Sequence, residues 1–173
     1  MTDSLERLAE VVGVALHERE WKLATAESCT GGGIAYYITS VSGSSNWFER
    51  GFVSYSNLSK QELLGVQINT LDQFGAVSEE TARAMAEGAL QHSQAQVSVA
   101  VTGIAGPTGG TKDKPAGTVW FAWAGIHRAT KTLKMVFTGS RQEVREQTIR
   151  VALAELLGFI GHSAHDKNFN RSP

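Results

Sequence analysis

The sequence predicts an α/β domain of three layers, α/β/α, around a mixed, mostly parallel sheet. Short apolar runs rich in Val and Ala alternate with amphipathic stretches at helical spacing, the pattern of a sheet covered by helices on both faces. Two of those runs, 23–26 and 96–102, pass straight into glycine-rich segments. Two further runs late in the chain, 117–124 and 130–137, are separated by a short turn at Gly125 and read as an antiparallel hairpin, which makes the sheet mixed.

Each element has a local reason. Leu5, Leu8, Val12, Ala15 and Leu16 recur at helical spacing, and Asp3 with Glu6 supplies a cap. A strand at 22–26 leads into Gly31, Gly32 and Gly33 and a helix to about Val41. The cluster 42–46 is a turn, and it caps a short helical piece through Trp47 and Phe48. A second strand is expected at 51–55, and a short helix at 58–64 stops at Gly65. Ser78 followed by Glu79 and Glu80 starts a helix whose apolar face is Ala82, Met85, Ala86, Ala89 and Leu90. The strand at 96–102 opens into a loop at 103–110, and after the hairpin a last helix runs from about Arg141 to Ile160.

Composition bounds the function. The chain has 173 residues, enough for one full core, taken as 1–161 with a disordered tail at 162–173. A net charge of −1 with scattered basic residues gives no footprint for nucleic acid or an anionic membrane. The single cysteine, Cys29, excludes an internal disulfide framework and a cysteine-based zinc site. Five dispersed histidines, with His162 and His165 in the polar tail, point to no metal. No signal-peptide pattern and no apolar run long enough to span a bilayer are found, so the expected location is cytoplasmic.

Ligands of open α/β sheets bind beyond the carboxyl ends of strands, so both glycine-rich loops are expected to face one pocket. The turn after residue 26 lacks the Gly-Lys-Ser/Thr ending of a P-loop and the spacing of a dinucleotide fingerprint. Its unpaired N–H groups can hold a phosphate, a carboxylate or an oxyanion, or the turn can simply allow close packing. Glu27, Thr30, Gly31 and Gly32 border this cradle, and Cys29 is expected to be a buried small residue. No histidine lies in the pocket loops, so a serine there needs another base. A desolvated Lys60, or Tyr55 beside it, can supply one. The Tyr55–Lys60 spacing is not the Tyr-x-x-x-Lys of short-chain dehydrogenases. Ser28 and Ser45 compete as nucleophile. Ser45 is nearer in sequence to Tyr55 and Lys60, and Ser28 sits at the better anion-stabilising place. Arg141 and Arg145 share one face of the last helix and suit a phosphate, or belong to a solvated face with Glu143 and Glu146. Lys112, Asp113 and Lys114 form a charged loop able to close over a ligand.

Several blocks together resemble one family. Thr25-Ala-Glu-Ser-Cys-Thr-Gly-Gly, Gly51-Phe-Val-Ser-Tyr-Ser-Asn with Lys60, Gly75-Ala-Val-Ser-Glu-Glu, Thr102-Gly-Ile-Ala-Gly-Pro and Lys114-Pro-Ala-Gly-Thr-Val are similar to the CinA C-terminal domain family, over about residues 5–160. Its stand-alone members include bacterial nicotinamide-nucleotide amidases. The resemblance implies an α/β/α fold and hydrolysis of the carboxamide of nicotinamide mononucleotide to nicotinate mononucleotide and ammonia, with no metal and no organic cofactor. The alternative is a non-catalytic, nucleotide-binding or regulatory paralogue. The family resemblance implies a serine nucleophile, which falls here on Ser45 or Ser28, helped by Lys60 and Tyr55; of the two serines, Ser45 is preferred here for the attack, with Ser28 in the cradle. The loop of Thr102, Gly103, Ile104, Ala105 and Gly106 would line the nucleotide pocket with the glycine-rich turn. Gly139-Ser140-Arg141 departs from the commoner Gly-Asp-Arg and removes a carboxylate beside Arg141. A small-molecule nucleotide is the expected partner. Homo-oligomerisation is expected, with Trp47, Trp120 and Trp123 offering apolar area for an interface.

Overall fold

The computed structural model describes residues 2–161; the expected tail at 162–173, with His162 and His165, lies outside them. The order of elements is α1 (Thr2–Glu18), β1 (Leu23–Glu27), α2 (Gly33–Thr39), a single 3₁₀ turn (Ser44–Asn46), β2 (Phe48–Val53), α3 (Asn57–Leu64), α4 (Ile68–Phe74), α5 (Glu79–Gln91), β3 (Val97–Gly103), β4 (Thr118–Gly125), β5 (Arg128–Val136) and α6 (Arg141–Phe159). The strands form one sheet in the order β2-β1-β3-β4-β5. β1 pairs parallel with β2 and β3, whereas β3–β4 and β4–β5 are antiparallel. The sheet is therefore mixed, with only β4 running against the other four strands.

Side-chain size separates the two faces. Leu23, Val97, Val99, Val101, Phe121 and Trp123 pack into one core with α1, α2 and α6. The alternate positions Ala24, Ala26, Ala100, Ala122 and Ala124 meet Ala82, Met85, Ala86 and Ala89 of α5 in a second core. Small residues on that face let α5 approach the sheet closely, and Ser98 donates its hydroxyl to the Ala86 carbonyl at 2.6 Å. Gly88 marks where α5 crosses the end of α3: a Cβ there would lie 2.0 Å from the Leu64 carbonyl oxygen.

Several expectations shift. α4 was not anticipated; it has only seven residues, and its N-cap Gln67 makes no side-chain cap bond. The first helix already includes Asp3, expected as its cap. The helical piece ends at Asn46, and Phe48 opens β2, which closes at Val53 rather than Tyr55. The hairpin turns at Ile126 and His127, the latter at φ 56°, rather than at Gly125. Trp47 and Trp123 offer no surface for an interface, because they are 4% and 0% exposed; the Trp123 indole stacks on Phe121 and donates to the Ala152 carbonyl. Among the described residues no helix is long and apolar enough to cross a membrane.

Candidate active site

Because β1, β2 and β3 run in one direction, the segments that follow them emerge at the same end of the sheet. Ser28 follows β1, Ser54 and Tyr55 follow β2, and residues 104–109 follow β3. Ser56 caps α3, its hydroxyl accepting from the Ser59 N–H at 3.0 Å, and Lys60 lies one turn further. These segments enclose a cavity of about 280 Å³ lined by Ser28, Cys29, Tyr55, Lys60, Thr102, Gly103, Ile104, Ala105, Gly106 and Arg141, together with Ala76, Val77, Thr108 and Gly109.

Lys60 is its chemical centre. The side chain is 1% exposed, and among the described residues no carboxylate pairs with it. Its Nζ donates to the carbonyls of Ser54 and Tyr55, both at 2.9 Å, and to Ser28 Oγ at 3.1 Å. Burial without a counter-charge pushes the lysine below its usual pKa. The two carbonyls hold two N–H bonds in either protonation state. The remaining tetrahedral position faces Ser28 Oγ with a third N–H when charged and with the lone pair when neutral.

Ser45 is not part of this cluster. It is exposed in the 3₁₀ turn before β2, at the opposite end of the sheet, where the Trp47 carbonyl accepts from Leu23 at the start of β1. The preference for Ser45 is thus corrected on geometry. A segment before a parallel strand lies at the other end from the segments after it, so nearness in sequence to Lys60 misled. The Tyr55 phenol is also not at Lys60: it accepts from Arg141 Nη2 at 3.2 Å, and only the Tyr55 carbonyl reaches Nζ.

Glu27 and Thr30 do not line the cavity. Glu27 is 1% exposed, and its Oε1 accepts from Thr30 Oγ1 at 2.6 Å and the Ile34 N–H at 2.7 Å, while Oε2 accepts from the Ala35 N–H at 3.1 Å. The cradle expected for a ligand anion is filled by the chain's own carboxylate. Burial raises its pKa, and these hydrogen bonds oppose the rise. The N-cap of α2, Gly32, has φ 95° and no capping side chain, so Glu27 supplies the acceptor from the end of the preceding strand.

Gly31, Gly32 and Arg145 border a neighbouring groove of about 680 Å³ between α2 and α6, which also includes Tyr36 and Tyr37; Arg141 lines both spaces. Arg145 donates to the Thr30 carbonyl at 2.9 Å, and Arg141 to the Gly106 carbonyl at 3.0 Å. Ser140 caps α6 in a reciprocal capping box with Glu143, so the serine at this departure still starts the helix as an aspartate would. Cys29 is 5% exposed, and burial pushes its thiol up to about 12. The charged loop is anchored rather than free, Lys114 Nζ donating to the Phe74 carbonyl at 3.0 Å. No cluster of three or more His, Cys, Asp or Glu able to hold a metal occurs among the described residues.

The cavity wall at Ala76 and Val77 was missed as site, although Gly75-Ala-Val-Ser was one of the conspicuous sequence blocks. Thr102 Oγ1 donates to the Ala76 carbonyl at 2.7 Å and ties that wall to the end of β3.

Comparison with known proteins shows the family of the chain. The CinA C-terminal domain model matches residues 5–160. The chain is 51% identical over 157 residues to the nicotinamide-nucleotide amidohydrolase PncC of Escherichia coli K12, covering 90% of this chain and 95% of that protein. It is 50% identical over 157 residues to the protein of the same name from Enterobacter agglomerans, covering 88% and 96%. The crystal structure of the competence/damage inducible protein CihA from Agrobacterium tumefaciens superposes with a TM-score of 0.87 at 44% identity, covering 90% of this chain and 94% of that one. With its α/β fold, its motifs and this match over nearly its whole length, the chain belongs to the CinA C-terminal domain family.

Proposed function

We propose that the chain is an amidohydrolase that converts nicotinamide mononucleotide to nicotinate mononucleotide and ammonia, with Ser28 as nucleophile and Lys60 as its base. The observation that carries this reading is the contact at 3.1 Å between Ser28 Oγ and buried Lys60, which no carboxylate pairs with among the described residues. The names of the relatives at about 50% identity supply the substrate.

Neutral Lys60 takes the Ser28 hydroxyl proton as Oγ bonds to the carboxamide carbon. Glu27 and the turn itself occupy the N–H groups of residues 31–35, so the developing oxyanion falls to the N–H groups of Cys29 and Thr30 just after Ser28. The resulting Lys60 ammonium returns the proton to the amide nitrogen, the C–N bond breaks, and ammonia leaves an acyl-serine ester. Water then adds to the ester carbonyl, giving its proton to Lys60. The C–Oγ bond breaks, the proton goes back to Oγ, and nicotinate mononucleotide departs. Glu27 fills the start of α2, so the phosphate falls to Arg141 and to Arg145 in the adjoining groove.

Ammonia release from nicotinamide mononucleotide by the wild type, Ser28→Ala, Ser45→Ala and Lys60→Ala is the test. No turnover by the wild type with tight mononucleotide binding would make the chain a binding paralogue. Full activity of Lys60→Ala would remove the mechanism.

A further inference from the structure

We propose that Glu27 is a positioning residue: with Thr30 it forms a buried brace that fixes the turn carrying Ser28. The inference rests on Ser28 as the nucleophile.

Ser28 stands between two fixed points. Upstream is the last residue of β1, Glu27, paired with Val53 of β2 and Val101 of β3. Downstream is the start of α2, whose Ile34 and Ala35 N–H groups both donate to the Glu27 carboxylate. Thr30, 0% exposed, closes the span by donating to the same carboxylate oxygen that takes the Ile34 N–H. The strand end, the turn and the helix start are thus held through one side chain. From outside, Arg145 holds the Thr30 carbonyl.

A carboxylate is costly to bury without a cation, and no ion pair involves Glu27 among the described residues. A hydroxyl or an amide cap would be cheaper if only the helix had to be capped. What the carboxylate adds is three acceptor bonds on two oxygens reaching both the middle of the turn and the helix beyond it. A nucleophile whose base sits at 3.1 Å gains from such definition, because small displacements of reacting groups carry large rate penalties.

The test separates placement from folding. Thr30→Val keeps the shape and removes the hydroxyl; Thr30→Ser restores it. Glu27→Gln sets an amide N–H against a backbone N–H, and Glu27→Asp keeps the charge but shortens the reach, which serves as a second variant should one fail to fold. The readouts are kcat and KM for nicotinamide mononucleotide and the rate at which a fluorophosphonate probe labels Ser28, identified by peptide mass. Thr30→Val and Glu27→Gln are expected to lower kcat and labelling by about 10- to 100-fold with KM unchanged, and Thr30→Ser to stay near the wild type. Wild-type rates in the folded fraction of Thr30→Val, Glu27→Gln and Glu27→Asp would overturn the brace. Labelling of wild-type Ser28 without mononucleotide turnover would instead overturn the substrate assignment, and the labelling rates would still decide the brace. No labelling at Ser28 would remove the nucleophile assignment and the brace with it.

Discussion

Lys60 Nζ donates to Ser28 Oγ at 3.1 Å while two backbone carbonyls, of Ser54 and Tyr55, hold its other two positions. The two residues are far apart in sequence and meet because β1 and β2 are parallel neighbours whose ends open into one cavity. The carbonyls aim the amine in either protonation state, and burial favours its neutral form. In the proposed mechanism this amine is the base of Ser28, and no histidine is required.

The pH dependence follows in sign from this pair. In the proposed mechanism only neutral Lys60 accepts the serine proton, and burial lowers its pKa from the ordinary lysine value of 10.5. Hence kcat/KM rises with pH through that lowered pKa and levels above it. Lys60→Arg, charged throughout, and Lys60→Ala should each lose about 10²- to 10⁴-fold at the plateau, as removal of a general base does. Ser28→Ala should fall by a similar factor, whereas Ser45→Ala should match the wild type. Steady-state ammonia release across pH measures all four.

Cys29 is adjacent in sequence to Ser28, the proposed nucleophile, yet burial pushes its thiol up to about 12. The native protein at pH 8 should react with iodoacetamide far more slowly than the urea-unfolded chain, and Cys29→Ala should keep turnover of wild-type order. Because the folded pKa is raised, the native state holds the proton that the unfolded chain loses above an ordinary value of 9.0. Stability should therefore fall as pH rises from 9.0 toward about 12, and Cys29→Ala should flatten that slope in urea titrations.

Much of this was written locally in the chain. α5 declared itself through Ser78, which caps it in the structure, and β1 and β3 through valine and alanine runs, whereas the Ser140 cap of α6 emerged only in the structure. α4 carried no such signal, being seven residues long with an uncapped start. The choice between Ser28 and Ser45 was open to a topological argument: Ser45 precedes a strand and Ser28 follows one, so only Ser28 can share an end with Lys60. The use of Glu27 was not legible, because a strand-end carboxylate looks alike whether it faces a ligand or folds back onto the helix that follows.

Packing against α5 gives a stability prediction. Alanine at position 88 gains about 1 kcal/mol of helix propensity over glycine. Its Cβ would meet the Leu64 backbone oxygen at 2.0 Å, which neither element can relieve without moving. The overpacking cost, about 3 kcal/mol, exceeds the gain. Gly88→Ala should lower the stability by about 2 kcal/mol and the Tm by about 4–8 °C in a thermal melt.

Tyr55 and Arg141 test how far the chemistry extends beyond Lys60. The Tyr55 phenol accepts from Arg141 at 3.2 Å, and the same guanidinium holds the Gly106 carbonyl at 3.0 Å. Arg141 thus joins the segment after β2, the loop after β3 and α6 across the cavity. In the proposed mechanism a phenol engaged there is no proton relay for Lys60. Tyr55→Phe removes one hydrogen bond and should cost about 1 kcal/mol, roughly fivefold in kcat/KM. A relay would cost about 10²-fold or more in kcat. Arg141→Ala removes a charged donor that the proposed mechanism directs to the phosphate, and should raise KM by about 10- to 100-fold with a smaller change in kcat. Kinetics of both variants at saturating and limiting mononucleotide distinguish these outcomes. A kcat collapse in Tyr55→Phe would return the phenol to the chemistry and require it to leave Arg141 during turnover.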